Sequence, residues 1–302
     1  VPSGRAWPNM KLNVAIAGVL ALMLGIGIVF LIVFFDRSIK APNDVVDAAG
    51  TPVLGIIPVL GSDDLAKDDD RSRDMYVHEN PTSRVAECCR SLRTNILFSA
   101  ADRKFKTMVV CSANPREGKT TTVIYLGTTM AQSGQRVLLI DTDMRRPRLH
   151  ASLSVPREPG LSNLLLGDDN YDELVRPTEV PNLFVLPCGP LPPNPAELVM
   201  TKRFEHVLEE LSRRFVCSCR EAPLSNSVTD AVVLSRRADG IIFVARAGKT
   251  LRDDLKRSAT QVRDVGGAIF GVIVNEFKTS ERGSYYYYSY YGLYSRGRIA
   301  GE

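Results

Sequence analysis

Hydrophobic and polar positions divide the chain into three regimes. From Val14 to Phe35 no charged residue occurs, and Val, Ile, Leu, Ala and Gly dominate. At about 1.5 Å rise per residue, a helix of this length crosses a hydrocarbon layer of about 30 Å. Gly18, Gly25 and Gly27 suit close packing of membrane helices. A cleaved signal peptide is disfavoured by the length of the run and the lack of a small-residue cleavage site after it. A buried core helix is the remaining alternative.

The second regime alternates short apolar runs with helical periodicity. Met108–Cys111, Val137–Ile140, Asn182–Leu186, Gly240–Ala245 and Ile269–Asn275 read as buried strands. Ser83–Ser99 has helical spacing, with Val85, Cys88 or Cys89, Leu92, Ile96 and Leu97 able to line one face. Helices are also expected over 121–131, 160–167 and 196–214. Strands alternating with helices predict an α/β fold with a mostly parallel sheet covered on both faces. Residues 36–80 read as a linker. Within it Thr51–Pro58 could form an extended piece, and the charge-rich run Asp63–Asp74 is expected to be solvated and mobile.

The third regime begins near residue 279. Tyr285, Tyr286, Tyr287, Tyr288, Tyr290, Tyr291 and Tyr294 crowd together there, seven of the ten tyrosines, among Gly, Ser and Arg. With no apolar pattern to bury them, they are expected to be exposed. A low-complexity tail without a role is the plain alternative.

Composition adds little. The formal net charge of +4 over 302 residues, with arginines scattered or beside acids, is not the signature of a nucleic-acid binder. The six cysteines (88, 89, 111, 188, 217, 219) lack zinc-ligand spacing, and Cys217-x-Cys219 is too short for a redox pair, so all six read as reduced thiols.

The candidate chemistry centres on Ser112-Ala-Asn-Pro-Arg-Glu-Gly-Lys-Thr-Thr121. An apolar strand, a turn-prone loop and a helix in succession are what a phosphate-binding loop needs. Backbone N–H groups and the positive end of a helix dipole converge on one point. Gly118 permits close backbone approach, Lys119 can reach the β- and γ-phosphates, and the Thr120 hydroxyl can ligate Mg²⁺. Ala113 stands where the usual pattern has its first glycine, so a chance Gly-Lys-Thr at a helix start is the alternative. Asp141 and Asp143 follow the next strand, at the carboxyl end where open α/β sheets bind ligands. One could hold Mg²⁺ through water and the other accept a proton; a helix N-cap plus a surface acid is the alternative. Glu87, Arg90 and Arg93, three apart, form one polar stripe, which solvation alone could explain. Asn275 at a strand end could contact a base or cap a turn.

Together these segments resemble the bacterial tyrosine autokinases of the polysaccharide co-polymerase type. The resemblance rests on Ser112, Pro115, Glu117, Gly118, Lys119 and Thr120 as a variant phosphate loop in which Ala113 is expected. It rests also on Asp141, Asp143, Arg145, Arg146 and Pro147, on Glu87, Arg90 and Arg93, on the proline-rich Gly189–Glu197, on Asp36–Lys40 with Pro52–Pro58, and on the terminal tyrosines. It implies a P-loop kinase domain over 81–278, an N-terminal stub (1–11), a transmembrane helix (12–35), the linker (36–80) and an autophosphorylation tail (279–302). It implies ATP and Mg²⁺ and a site of Ser112, Pro115, Glu117–Thr121, Asp141, Asp143 and Asn275. Lys119, Asp141 and Asp143 are the catalytic set. Glu87, Arg90 and Arg93 would make the subunit contacts of an octamer-like ring. Other partners implied are the bilayer, a polysaccharide polymerisation and export machinery, and a cognate phosphatase. A plasma-membrane location with the kinase domain in the cytoplasm follows, and the chain would then be the tail end of a longer protein. A nucleotide switch of the partition or septum-placement type, and a non-catalytic scaffold, are the rival classes.

The resemblance breaks at one strand. Where the family carries an apolar run ending in Asp, this chain has Phe215-Val-Cys-Ser-Cys-Arg-Glu221, so Glu221 stands in the metal-binding position with Arg220 before it. A carboxylate one methylene longer displaces a metal or water by about 1 Å, enough to cost on the order of 100-fold in rate. Two expectations follow: a kinase with weakened metal binding, or a local reading-frame error in the source sequence.

Overall fold

The structure, a computed structural model, describes residues 10–61, 64–65, 69–99, 106–215, 217–221 (backbone course), 234 and 238–278. The tyrosine cluster 285–294 and the stub before Met10 lie outside the described residues. The chain divides into a unit ending at Ser38 and one beginning at Ile39.

The first unit carries α1 (Met10–Phe35), a 26-residue helix with no buried residue, long and apolar enough to cross a membrane. The second unit is built on eight strands: β1 (Val53–Pro58), β2 (Thr107–Ser112), β3 (Val137–Asp141), β4 (Arg176–Pro177), β5 (Leu183–Leu186), β6 (Cys217–Glu221), β7 (Gly240–Arg246) and β8 (Ile269–Phe277). Their order across the sheet is β1-β8-β7-β2-β6-β3-β5-β4, and every pairing is parallel except β4 with β5.

Helices cover both faces, and strand side chains alternate between two cores. Val109, Cys111, Leu138, Ile140, Phe243 and Val272 face one core. There they meet α2 (Pro42–Ala49), α7 (Leu161–Leu165), α8 (Tyr171–Leu174), α9 (Pro195–Val199), α10 (Lys202–Arg214) and α11 (Arg252–Asp264). Met108, Val110, Leu139, Ile242 and Ile273 face the other. That core holds α3 (Asp70–Glu79), α4 (Arg84–Ser99), α5 (Lys119–Gln132) and α6 (Leu149–Ser152). Burial on both faces explains why these strands read as continuous apolar runs.

The stretch 36–80 departs from its reading as a linker. It contributes α2, a fully buried β1 paired with β8, and α3. At the end of the charge-rich run the described residues 69–74 are ordered rather than solvated throughout: the Asp69 carboxylate caps α3 by accepting from Ser72 N at 2.7 Å, and Asp74 is buried. Leu97, expected on the buried face of α4, is 42 % exposed. The single helix expected over 196–214 breaks at Thr201, whose hydroxyl accepts from Phe204 N at 3.1 Å and starts α10.

Candidate active site

The phosphate loop joins β2 to α5 at the carboxyl edge of the sheet. Gly118 is the N-cap of α5 with φ 92°, and an added Cβ would lie 2.0 Å from Asn275 Nδ2. Only glycine fits that backbone and that gap. The start of a helix is where backbone N–H groups and the helix dipole favour an anion, and α5 starts directly after Gly118. Lys119 Nζ donates to Ser112 Oγ at 3.0 Å, which lays the lysine back across the loop. Thr120 is buried at the start of α5.

The loop is braced from behind. Glu117 is buried and accepts from Asn114 N at 3.0 Å and from Thr250 Oγ1 at 2.5 Å. Burial pushes its carboxyl above the usual carboxylate range, opposed by the bond from Thr250. Asn114 Nδ2 also donates to Asp254 Oδ2 of α11 at 3.1 Å. Asn275 Nδ2 donates to the Glu117 carbonyl at 3.0 Å, so this residue braces the loop as well as lining the cavity beside it. Pro115 and Arg116 form the outer turn, and Arg116 is a non-glycine residue at φ 62°.

Asp141 and Asp143 stand two strands away, at the end of β3. Asp141 is fully buried and accepts from the backbone N–H of Asp143 (3.2 Å), Arg148 (3.0 Å) and Leu149 (3.1 Å). Asp143 Oδ1 accepts from Arg145 N at 3.2 Å and Arg146 N at 2.9 Å. Both carboxylates therefore fix the loop that follows β3, an anchoring role compatible with a functional one. Cys188 lies near them, and burial first, then these two acids, pushes its thiol up to about 12, so it is inert. Cys88, Cys89, Cys111 and Cys188 are buried thiols outside any disulfide; the Cys217 and Cys219 side chains lie outside the described set.

The backbone of β6 lies between β2 and β3, pairing Glu221 with Val110 on one side and Asp141 on the other. Glu221 thus occupies the strand end between the phosphate loop and the two aspartates. The question of a displaced carboxylate or a frame error concerns side chains and residues outside the described set. Among the described residues no cluster of three or more His, Cys, Asp or Glu forms a metal cage.

The three residues of the polar stripe of α4 have different contacts within the chain. Arg90 Nε donates to Glu87 at 2.9 Å, and its Nη1 to the Pro81 carbonyl at 2.8 Å. Arg93 Nη1 donates to the Thr129 carbonyl of α5 at 2.6 Å, tying α4 to the phosphate-loop helix.

A cavity of about 520 Å³ opens beside Gly118, with Thr121, Arg73, Arg116, Arg148 and Glu276 among its walls. Reasoning from sequence missed Arg148 and its buried partner Asp74. The only sequence signal was an acid spaced one helical turn from Asp70 ahead of an apolar triplet, Met75–Val77.

Residues 108–291 match the CbiA family, the CobQ/CobB/MinD/ParA nucleotide binding domain. The chain is 34 % identical over 216 residues to tyrosine-protein kinase YwqD of Bacillus subtilis, a match covering 72 % of this chain and 91 % of that one. It is 30 % identical over 294 residues to tyrosine-protein kinase Wzc of Salmonella typhimurium, covering 94 % of this chain but 41 % of that protein. The solved kinase domain of Escherichia coli tyrosine kinase ETK superposes with a TM-score of 0.73 at 28 % identity, covering 80 % of this chain and 96 % of the domain.

Proposed function

This chain belongs to the bacterial tyrosine-protein kinases, which carry that nucleotide-binding domain, and from that premise we propose that it is an ATP-dependent protein-tyrosine autokinase. The observation that carries the reading is the Ser112–Lys119–Gly118 cradle set two strands from a pair of buried aspartates. Lys119 and the first-turn amides of α5 hold the phosphate chain and offset charge on the γ-phosphoryl as it leaves ADP. Mg²⁺, held by Thr120 and carboxylates, would neutralise the phosphate oxygens. Asp141, locked by three backbone N–H groups, suits orientation of the metal's water shell. Asp143 then takes the phenol proton as the tyrosine oxygen forms its bond to phosphorus and the β–γ bridge breaks. A free phenol has a pKa near 10, so this assistance matters at neutral pH.

The substrates are Tyr285, Tyr286, Tyr287, Tyr288, Tyr290, Tyr291 and Tyr294 of a neighbouring copy. α1 anchors the chain in the plasma membrane, and the kinase unit faces the cytoplasm, where ATP is. Residues 81–278 with β1 and α3 form the catalytic domain, and 279–302 the tail. Glu87, Arg90 and Arg93 contribute to a ring of subunits in which the tail reaches an effective concentration in the millimolar range. Each phosphate adds about −1.5 to −2 charge, so a phosphorylated tail repels itself and loosens the ring. The cycle governs polymerisation and export of a surface polysaccharide. The names of the relatives favour a kinase over a nucleotide-switched positioning protein.

A mixing experiment tests this. A Lys119→Met chain with an intact tail is incubated with a chain whose tail tyrosines are all Phe, in Mg-ATP. Phosphotyrosine on the Lys119→Met chain supports the proposal. Hydrolysis without phosphotyrosine favours the switch, and neither activity favours the scaffold.

A further inference from the structure

Asp74 is a fully buried carboxylate that the mechanism above does not use. Three donors from two elements and the turn between strand and helix converge on it. Thr121 Oγ1, in the first turn of α5, donates to Oδ1 at 2.5 Å. Arg148 Nη2 and Ser152 Oγ donate to Oδ2 at 2.7 Å and 2.6 Å. Asp70, one turn earlier on α3, lies 3.5 Å from the same Nη2.

Arg148 connects this hub to the site twice over. Its backbone N–H donates to Asp141 Oδ2 at 3.0 Å. Its side chain, 38 % exposed, lines the cavity beside Gly118 and Thr121. A guanidinium carries five N–H donors in a fixed plane, and Asp74 engages it through Nη2 alone. The other wall cations differ in their ties: Arg246 pairs with Glu276 and donates through Nη1 to the Arg116 carbonyl at 3.2 Å. A buried ion pair adds little stability over apolar packing of similar volume. Its effect here is geometric, because it fixes a cation at the mouth of a phosphate-binding loop.

We propose that Arg148 is a further nucleotide-binding residue whose guanidinium meets the phosphate chain from the cavity side, and that Asp74 is the positioning residue that holds it there. This rests on the phosphate loop being a nucleotide site. The hub also joins α3 to the phosphate-loop helix and to the loop behind Asp141, so a shift of α3 moves the cation and the acid loop together.

The test is a double-mutant cycle on the full chain in detergent, reading ADP affinity by displacement of a fluorescent ADP analogue. Wild type, Arg148→Ala, Asp74→Asn and the double variant are compared, with Lys119→Ala as control. Arg148→Ala is expected to weaken ADP about tenfold, the scale of one charge-assisted hydrogen bond, and Arg148→Lys to recover part of the loss. Asp74→Asn is expected to weaken ADP in the wild-type background and to add nothing once Arg148 is Ala. An equal loss in both backgrounds would show that Asp74 acts only on the fold and would overturn its positioning role. Unchanged affinity in Arg148→Ala would overturn the proposal whole. If Asp74→Asn does not fold, Asp74→Glu, which keeps the charge but moves it by one methylene, replaces it in the cycle. A wild type that binds no ADP refutes the underlying nucleotide reading instead, which separates the two failures.

Discussion

Asn275 Nδ2 donates to the Glu117 carbonyl at 3.0 Å, joining the end of β8 to a loop 158 residues earlier. The same amide nitrogen fills the space in which a Gly118 side chain would sit, 2.0 Å from an added Cβ. Gly118→Ala must therefore displace Asn275 and also hold alanine at φ 92°, a backbone cost of about 1–2 kcal/mol. Nucleotide affinity should fall at least tenfold. In Gly118→Ala/Asn275→Ala only part should return, because the backbone term persists. Full recovery in a titration with a fluorescent nucleotide would show that the clash alone matters.

Arg116 presents the opposite case, a side chain held at φ 62° where glycine would be unstrained. Arg116→Gly should raise the melting temperature if relief of about 1 kcal/mol exceeds the added freedom of the unfolded chain. Its carbonyl still accepts from Arg246 in the variant. A lower melting temperature by calorimetry would mean that the freedom glycine adds to the unfolded chain, with any contacts of the arginine side chain, outweighs the strain.

Glu117 carries the clearest pH signature. Burial raises its folded pKa above the ordinary glutamate value of 4.5, so the folded state holds the proton more tightly than the unfolded one. Stability from this group is present below 4.5 and declines as pH rises through that value to the raised folded pKa. Glu117→Gln should remove that decline. Urea denaturation of wild type and variant from pH 4 to 8 should show a stability difference that changes across this window and is flat above it; a constant difference would refute the assignment.

Tyr125 is a buried residue of the phosphate-loop helix α5, and its hydroxyl donates to the Arg73 carbonyl of α3 at 2.6 Å. Tyr125→Phe leaves that carbonyl without this donor at a cost of about 1–3 kcal/mol. Hydrogen exchange should quicken in α3 more than in α4. Equal exchange in both helices would mean that the Tyr125 bond contributes nothing to holding α3, beside its packing and the donors on Asp74.

What the sequence conveyed depended on how local its signals were. β2, β3, β7 and β8 were legible because burial on both sheet faces forces runs of apolar residues. The phosphate loop was legible because Gly118, Lys119 and Thr120 act at fixed spacing. β1 was half visible, since five residues between Pro52 and Pro58 do not say which strand they join. Asp74 and α3 were hidden because the acid is satisfied by Thr121, Arg148 and Ser152, partners 47 to 78 residues away. Likewise Arg93 looked like part of a solvated stripe until α5 placed the Thr129 carbonyl beneath it.

The central claim is that the γ-phosphoryl of ATP passes to tyrosine oxygen. Incubating the full chain with Mg²⁺ and ATP labelled at the γ-phosphorus, followed by phosphoamino-acid analysis, tests it most directly. The account predicts label on tyrosine, lost in Lys119→Met and sharply reduced in Asp143→Asn. Label released only as inorganic phosphate, with none on tyrosine, would contradict it.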